Sequence, residues 1–307
     1  MKRALWLLVL SIGCGSRFGA GTPEATDAGI QASPRLAACR SYAQALCERV
    51  EACAPFLART GLGRGSLCVD AVAERCFETA GLGGSQRTPE ALSSCAEETR
   101  KSTCDAFLES FPEPCALPPG KLADGAGCAF SEQCASTFCA READVACGVC
   151  MAAPRAGERC VQGACARGLL CTSAGACVAP ARLGQPCGPN DPCARLLFCD
   201  TGVCVPRREL GEGCAGFGQC DTFGETSCAA NSLCVATRVV GKGQACDLTA
   251  NALVLCEAPY RCIDDVCAEG HPQGATCGSA GSHECAGFQS ECIRGRCVAP
   301  VVEACQK

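Results

Sequence analysis

The stretch GERCVQGACARGLLCTSAGACV, residues 157–178, holds four cysteines, with a glycine three places ahead of the first. The same arrangement occurs six times between residues 125 and 297. Gly125, Gly157, Gly184, Gly211, Gly243 and Gly274 introduce Cys128, Cys160, Cys187, Cys214, Cys246 and Cys277, a period of 27–32 residues. The sets of four are completed by Cys134, Cys139, Cys150; Cys165, Cys171, Cys177; Cys193, Cys199, Cys204; Cys220, Cys228, Cys234; Cys256, Cys262, Cys267; and Cys285, Cys292, Cys297. Within the array only Cys147 and Cys305 fall outside the sets. Two places before the closing cysteine stands Gly148, Gly175, Gly202, Ser232, Asp265 or Gly295, each suited to a tight turn. Val178, Val205, Val235 and Val298 follow the close and favour extended backbone. The pattern predicts short β-hairpins across residues 120–307. Below about 40 residues a unit cannot bury a sufficient core and needs disulfides, metal or association. Two bridges per unit meet that need, and stacked repeats of this kind commonly form a rod.

Towards the N-terminus the periodicity changes. Residues 36–119 carry eight cysteines, Cys39, Cys47, Cys53, Cys68, Cys76, Cys95, Cys104 and Cys115. Leu36, Cys39, Ala43, Leu46, Cys47, Val50 and Cys53 fall at steps of three and four and so share one helical face. Ser33–Pro34, Ser66 before Leu67, Thr88–Pro89, and Ser102 with Asp105 read as four helix starts. The expectation is a small α-helical module of four short helices stapled by about four disulfides, since helices below roughly 12–15 residues are marginal in water. Order alone leaves the pairing open.

Composition supports export. Of 307 residues 35 are cysteine, aromatics make up 5% and histidine occurs twice. Cysteine at such a density marks a disulfide scaffold of an oxidising compartment. Lys2 and Arg3 precede an apolar run from Ala4 to Ile12, so residues 1–13 read as a signal peptide, too short to span a bilayer. Ser11-Ile12-Gly13-Cys14 resembles the lipobox of bacterial lipoproteins, in which Cys14 would be acylated, although serine takes the place of the usual leucine. Removal of Cys14 leaves 34 cysteines, an even number, and residues 14–35 read as a flexible tether. Loss of Lys2 and Arg3 would move the formal charge from −5 to −7, which argues against a nucleic-acid partner. The expected location is an outer-membrane or cell-surface lipoprotein, or the extracellular medium.

Cys128, Cys134, Cys139, Cys147, Cys150, Cys160, Cys165, Cys171 and Cys177 resemble the N-terminal cysteine-rich domain of Dickkopf proteins, best over residues 128–177. Gly175-Ala176-Cys177-Val178 is similar to that family's turn and apolar close. The resemblance implies a small disulfide-rich fold of β-hairpin repeats, Dickkopf- or colipase-like, in a bacterial lipoprotein. The family has adjacent cysteines where this chain has Cys165 followed by Ala166. Cys147 is thereby left without the family's partner, and Cys305 is one cysteine it could reach. The family is secreted and inhibits Wnt signalling, but cysteine spacing records how a scaffold is stapled and does not carry the pathway.

Catalytic and metal readings are weak. His271 and His283 sit in loop-like sequence without a nucleophile elbow. Only Cys147 and Cys150 have zinc-like or thioredoxin-like spacing in the array, and neither a second ligand pair nor a βαβ context accompanies them. Asp264–Asp265 and Asn190–Asp191 lack the spacing of a calcium loop. Phe130, Phe138, Phe198, Phe217, Phe223 and Phe288 read as the few apolar contacts of each unit. No enzyme, metal or cofactor is expected. The first-to-second cysteine gap varies from four residues, after Cys160, to nine, after Cys246, while the framework stays fixed. Variable loops on rigid staples suit recognition of a surface protein or glycan. The alternative is a secreted hydrolase inhibitor or cofactor-like module.

Overall fold

The computed structural model describes residues 33–305, except 110–111, 142–144, 146, 217, 222, 224, 230, 248–253, 279–284, 286–290, 294 and 299–304. The expectations for the signal segment, Cys14, His283, Phe217 and Phe288 lie outside the described residues.

The head is built on α1, Pro34–Cys53, a helix of 20 residues and not the short element expected. Proline at its first position costs no hydrogen bond, because the N–H it lacks would be unpaired there. The short α2, Pro55–Leu57, runs into a π-helical turn, Ala58–Leu62. Then come α3, Ser66–Ala80; α4, Pro89–Lys101; α5, Cys104–Glu109; and a 3-10 turn, Glu113–Cys115. Thr88 caps α4, its hydroxyl accepting from the Ala91 N–H at 3.2 Å. Two of the start signals are displaced. Ser66 is already helical and Gly65 holds the cap position, at a positive φ of 54°. At α5 it is Thr103 that accepts from the Ala106 N–H, while Ser102 turns back to the Thr99 carbonyl at the end of α4.

Cys39–Cys76 and Cys47–Cys68 tie α1 to α3, Cys53–Cys104 ties it to α5, and Cys95–Cys115 fastens α4 to the 3-10 turn. No bridge joins α1 to α4. Arg49 instead donates to the Thr99 and Arg100 carbonyls, and Arg100 donates to Ser41, across a seam where Leu92 packs on Ala38 and Cys39.

Past residue 120 the regular elements among the described residues are short strands and one 3-10 turn, Ser131–Gln133. Antiparallel hairpins form at Leu170–Cys171 with Cys177–Val178, Leu197–Asp200 with Val203–Pro206, Thr226–Cys228 with Cys234–Ala236, Arg261–Ile263 with Val266–Ala268, and Glu291–Ile293 with Arg296–Val298. In the first unit Gly148–Cys150 lies between Gly127–Cys128 and Cys139–Ala140. The molecule is thus a disulfide-rich scaffold of antiparallel hairpins behind a helical head.

Turn chemistry explains the repeating residues. The six introducing glycines all have φ between 77° and 88°, and nothing lies within 4 Å of where a Cβ would sit. They are needed for backbone conformation alone. Gly184→Ala is therefore expected to cost about 1 kcal/mol by left-handed strain, with Gly184→Asn closer to wild type, measured as amide-exchange protection within residues 181–206. Gly148 departs from the turn assignment. It is a strand residue whose Cβ would collide with the Ala140 carbonyl and lie 2.8 Å from Cys139 Sγ, on the strand opposite.

Successive units are joined by a ladder. The residue three places before five of the six introducing glycines pairs in parallel with the second cysteine of the unit: Leu122 with Cys134, Ala181 with Cys193, Arg208 with Cys220, Val240 with Cys256, His271 with Cys285.

The array does not end free, as an open rod would. Cys147 is bonded to Cys305, 158 residues away, and a Cβ on Gly127 would strike the Cys305 carbonyl. The head also holds the fourth and fifth units. Arg59, in the π-helical turn, pairs with both oxygens of Glu225 at 3.2 Å, and its carbonyl accepts from the Ala258 N–H at 2.7 Å. Phe223 packs against the Leu46, Val50 and Val72 cluster of the head. Phe223 therefore serves the junction and not the interior of its own unit, which corrects the expectation for it. Gln133, fully buried, accepts from the Ala129 and Phe130 N–H groups and donates to the Gly83 carbonyl, keying the first unit to the head.

Candidate binding surface

The framework begins with register. In every unit the third and fourth cysteines lie directly opposite across the hairpin: Cys139 and Cys150, Cys171 and Cys177, Cys199 and Cys204, Cys228 and Cys234, Cys262 and Cys267, Cys292 and Cys297. Opposed residues point to the same face of the ribbon. The sulfurs rise side by side from that face, and each is bonded to an earlier cysteine, third to first and fourth to second, in all six units. In the first five units three sulfurs lie within 4.8 Å of one another, so paired disulfides form the centre of each unit. All 34 cysteines from Cys39 to Cys305 are in disulfides.

The same pleat fixes what faces out. The residue before the closing cysteine points away from the sulfurs, because successive side chains alternate. Val149, Val203, Leu233 and Val266 occupy that place, each 39–48% exposed. Leu183 and Leu210, which precede the introducing glycines of the third and fourth units, are each 63% exposed. Within the third unit the Gly184 N–H donates to the Cys204 carbonyl, and within the fourth the Gly211 N–H donates to that of Cys234. Leu183 and Val203 thus flank one backbone hydrogen bond, and Leu210 and Leu233 flank its equivalent.

Arginines hold these two units in register. Arg207 donates to the Arg195 carbonyl at 3.0 and 3.2 Å and to the Gly218 carbonyl, and burial pushes its pKa down. Arg208 reaches Asp200 at 3.1 Å and lies 5.4 Å from the centre of the Phe198 ring. The apolar residues after the closing cysteines drew the sequence reading, whereas those before them carry the surface. Period-two alternation from the closing cysteine was the signal that could have found them.

The weighed chemistry falls into structural places. His271 occupies the inter-unit ladder position through its backbone. Asp264 and Asp265 form the hairpin turn, with φ of 48° and 62°. Gly188 and Asp191 exchange backbone hydrogen bonds at 3.1 and 3.2 Å across Pro189 and Asn190. Cys147 and Cys150 are bonded to Cys305 and Cys134 and not to each other, so they form neither a thioredoxin-like couple nor a zinc half-site.

No protein-family model, curated protein or solved structure matches the chain. The Dickkopf resemblance thus rests on cysteine spacing. What the structure defines is a class: a cysteine-rich protein of hairpin repeats whose disulfides belong to an extracellular or secreted setting. Among the described residues no helix is long and apolar enough to cross a membrane.

Proposed function

We propose that the protein is an exported, non-enzymatic recognition scaffold, tethered to the cell surface through an acylated Cys14, that binds a surface protein or glycan through the outer face of its hairpin array. The observation that carries this reading is the apolar pair repeated on the third and fourth units, Leu183 with Val203 and Leu210 with Leu233. Exposed aliphatic side chains in register on a covalently fixed ribbon lose little freedom when covered, which lowers the cost of binding. The lipobox-like segment supports attachment, and the Gly-, Ala- and Thr-rich sequence between Cys14 and the start of α1 at Pro34 supports a tether.

The test is capture from membranes of the native cells. Wild-type protein is expected to retain a saturable partner, and Leu183→Asp with Leu210→Asp to reduce retention on the order of tenfold or more, with the disulfide count unchanged. Mass spectrometry of the same material is expected to show an acyl group on Cys14. Equal capture by the double variant would remove the array face from the proposal, and an unmodified Cys14 would remove the anchor.

A further inference from the structure

Between the head and the first unit lies a crevice of about 140 Å³, walled by Tyr42, Leu46 and Val72 and by the charged residues Arg75, Arg87 and Glu132. That volume is close to the roughly 150 Å³ of a cavity that holds benzene. Its apolar wall belongs to α1 and α3. Arg75, on α3, is stacked on the Phe130 ring of the first unit, 3.8 Å from the centroid. Arg87 lies 5.3 Å from the centre of the Tyr42 ring and 3.9 Å from Glu132, a loose pair.

The Arg75 guanidinium is half-buried and makes no hydrogen bond or ion pair with any described residue; it rests on the face of Phe130. Burial pulls its pKa down to about 10, with Glu132 and Glu78 opposing that shift and Arg141 and Arg87 adding to it. It remains charged at neutral pH. The crevice wall itself carries two guanidiniums, Arg75 and Arg87, and one carboxylate, Glu132, one positive charge in excess. A single negative charge completes the set. A planar carboxylate accepts two parallel bonds from a guanidinium, while the aliphatic and aromatic walls favour an apolar body behind it.

We propose that this crevice binds a small monocarboxylate with an apolar body of about benzene size, its carboxylate on Arg75 and its body against Tyr42, Leu46 and Val72. The site is separate from the array face and does not rest on the function proposed above. A free acid and the C-terminal carboxylate of a peptide ending in phenylalanine present the same chemistry.

The test uses the full oxidised chain and 4-fluorobenzoate observed by fluorine NMR. Saturable binding is expected, displaced by phenylacetate and not by benzamide. Arg75→Met, which keeps an apolar side chain over Phe130, is expected to weaken binding on the order of tenfold or more. Arg35→Gln, outside the crevice, should leave it unchanged. If Arg75→Met does not form its disulfides, Arg75→Lys serves: charge without the fork is expected to weaken binding by a smaller but measurable factor. Displacement by a peptide ending in free phenylalanine, and not by its amide, would identify a chain terminus as the source. Displacement by phenylacetate alone would identify a free acid. Absence of saturation up to about 10 mM, a weaker limit than any useful affinity, overturns the proposal. So does equal displacement by benzamide, or wild-type affinity in both Arg75 variants.

Discussion

Reduction and alkylation of the intact chain is expected to erase the hairpin array while leaving part of the helical head. Each unit is held by two bridges that close loops of 11–16 residues. A loop of that size is worth about 3 kcal/mol of restraint, so a unit loses about 6 kcal/mol when both are cut. Little else replaces it. Among the described residues, the buried apolar cluster of the sixth unit is its four cysteines, and that of the fourth is Cys214, Cys220 and Cys234 with Cys228 at its margin. The head differs, because Leu46, Val50, Val72 and Phe107 pack together and Leu92 lies under the second seam. After alkylation, circular dichroism should retain some helical signal while amide exchange across residues 125–298 reaches the unfolded limit. Protected hairpin amides in fully alkylated protein would show that something other than sulfur holds the array.

Cutting one bridge, Cys147–Cys305, has the second-largest expected effect, and its consequence falls elsewhere in the molecule. It is the longest-range disulfide, spanning 158 residues where the next longest spans 51. The chain-entropy argument gives close to 5 kcal/mol for an uninterrupted loop of that length, and the bridges inside the loop shorten its effective contour, so Cys147→Ser with Cys305→Ser should cost about 4 kcal/mol. No disulfide joins the array to the head; the clasp closes the first unit, which Gln133 keys to the head, onto the far end of the array. Without it the fourth and fifth units keep only their own contacts with the head: Arg59 with Glu225, the Arg59 carbonyl with Ala258, and Phe223 on the head cluster. The Arg59–Glu225 pair is partly buried, each side chain 27% exposed, so the cost of desolvating its charges offsets much of their attraction. The readout is the Ala258 amide, whose acceptor is the Arg59 carbonyl. Its exchange is expected to rise sharply in the double variant, while the amides of Cys204 and Cys177, paired within their own units, keep their protection. Unchanged exchange at Ala258 would mean that the junction stands without the clasp.

The cysteine framework and the turn residues were legible because their demands are local. A glycine at φ near 80° three places before a cysteine, or paired turn residues such as Thr201–Gly202 and Asp264–Asp265, is imposed by backbone sterics that act within a few residues. The face of α1 was legible for the same reason: Cys39, Ala43, Leu46, Cys47 and Val50 fall on one side by helical period and are buried together. Small displacements at caps, Thr103 in place of Ser102 and Gly65 in place of Ser66, arose because adjacent residues compete for one position and only packing of the helix end decides between them.

The candidate sites were much less legible. The exposed row at Val149, Val203, Leu233 and Val266 follows from alternation about the closing cysteine, yet its significance depends on the sulfur face it turns away from. The crevice at Arg75 had no signature, since Arg75, Phe130 and Tyr42 come from three separate elements and meet only when the first unit docks on α1 and α3.

By itself the sequence determined the periodic unit, the position of its turns and the helical character of the head, because spacing of cysteines, glycines and apolar residues acts through dihedral limits and side-chain alternation over a few residues. Tertiary structure alone decided that third cysteines bond to first and fourth to second, that Cys147 joins Cys305, and that the array returns to the π-helical turn at Arg59. The physical reason is distance. Any pair of thiols can bond in sequence space, and which pair does is set by where sheet register and the packing of hairpins on the head bring two sulfurs within about 2 Å of each other.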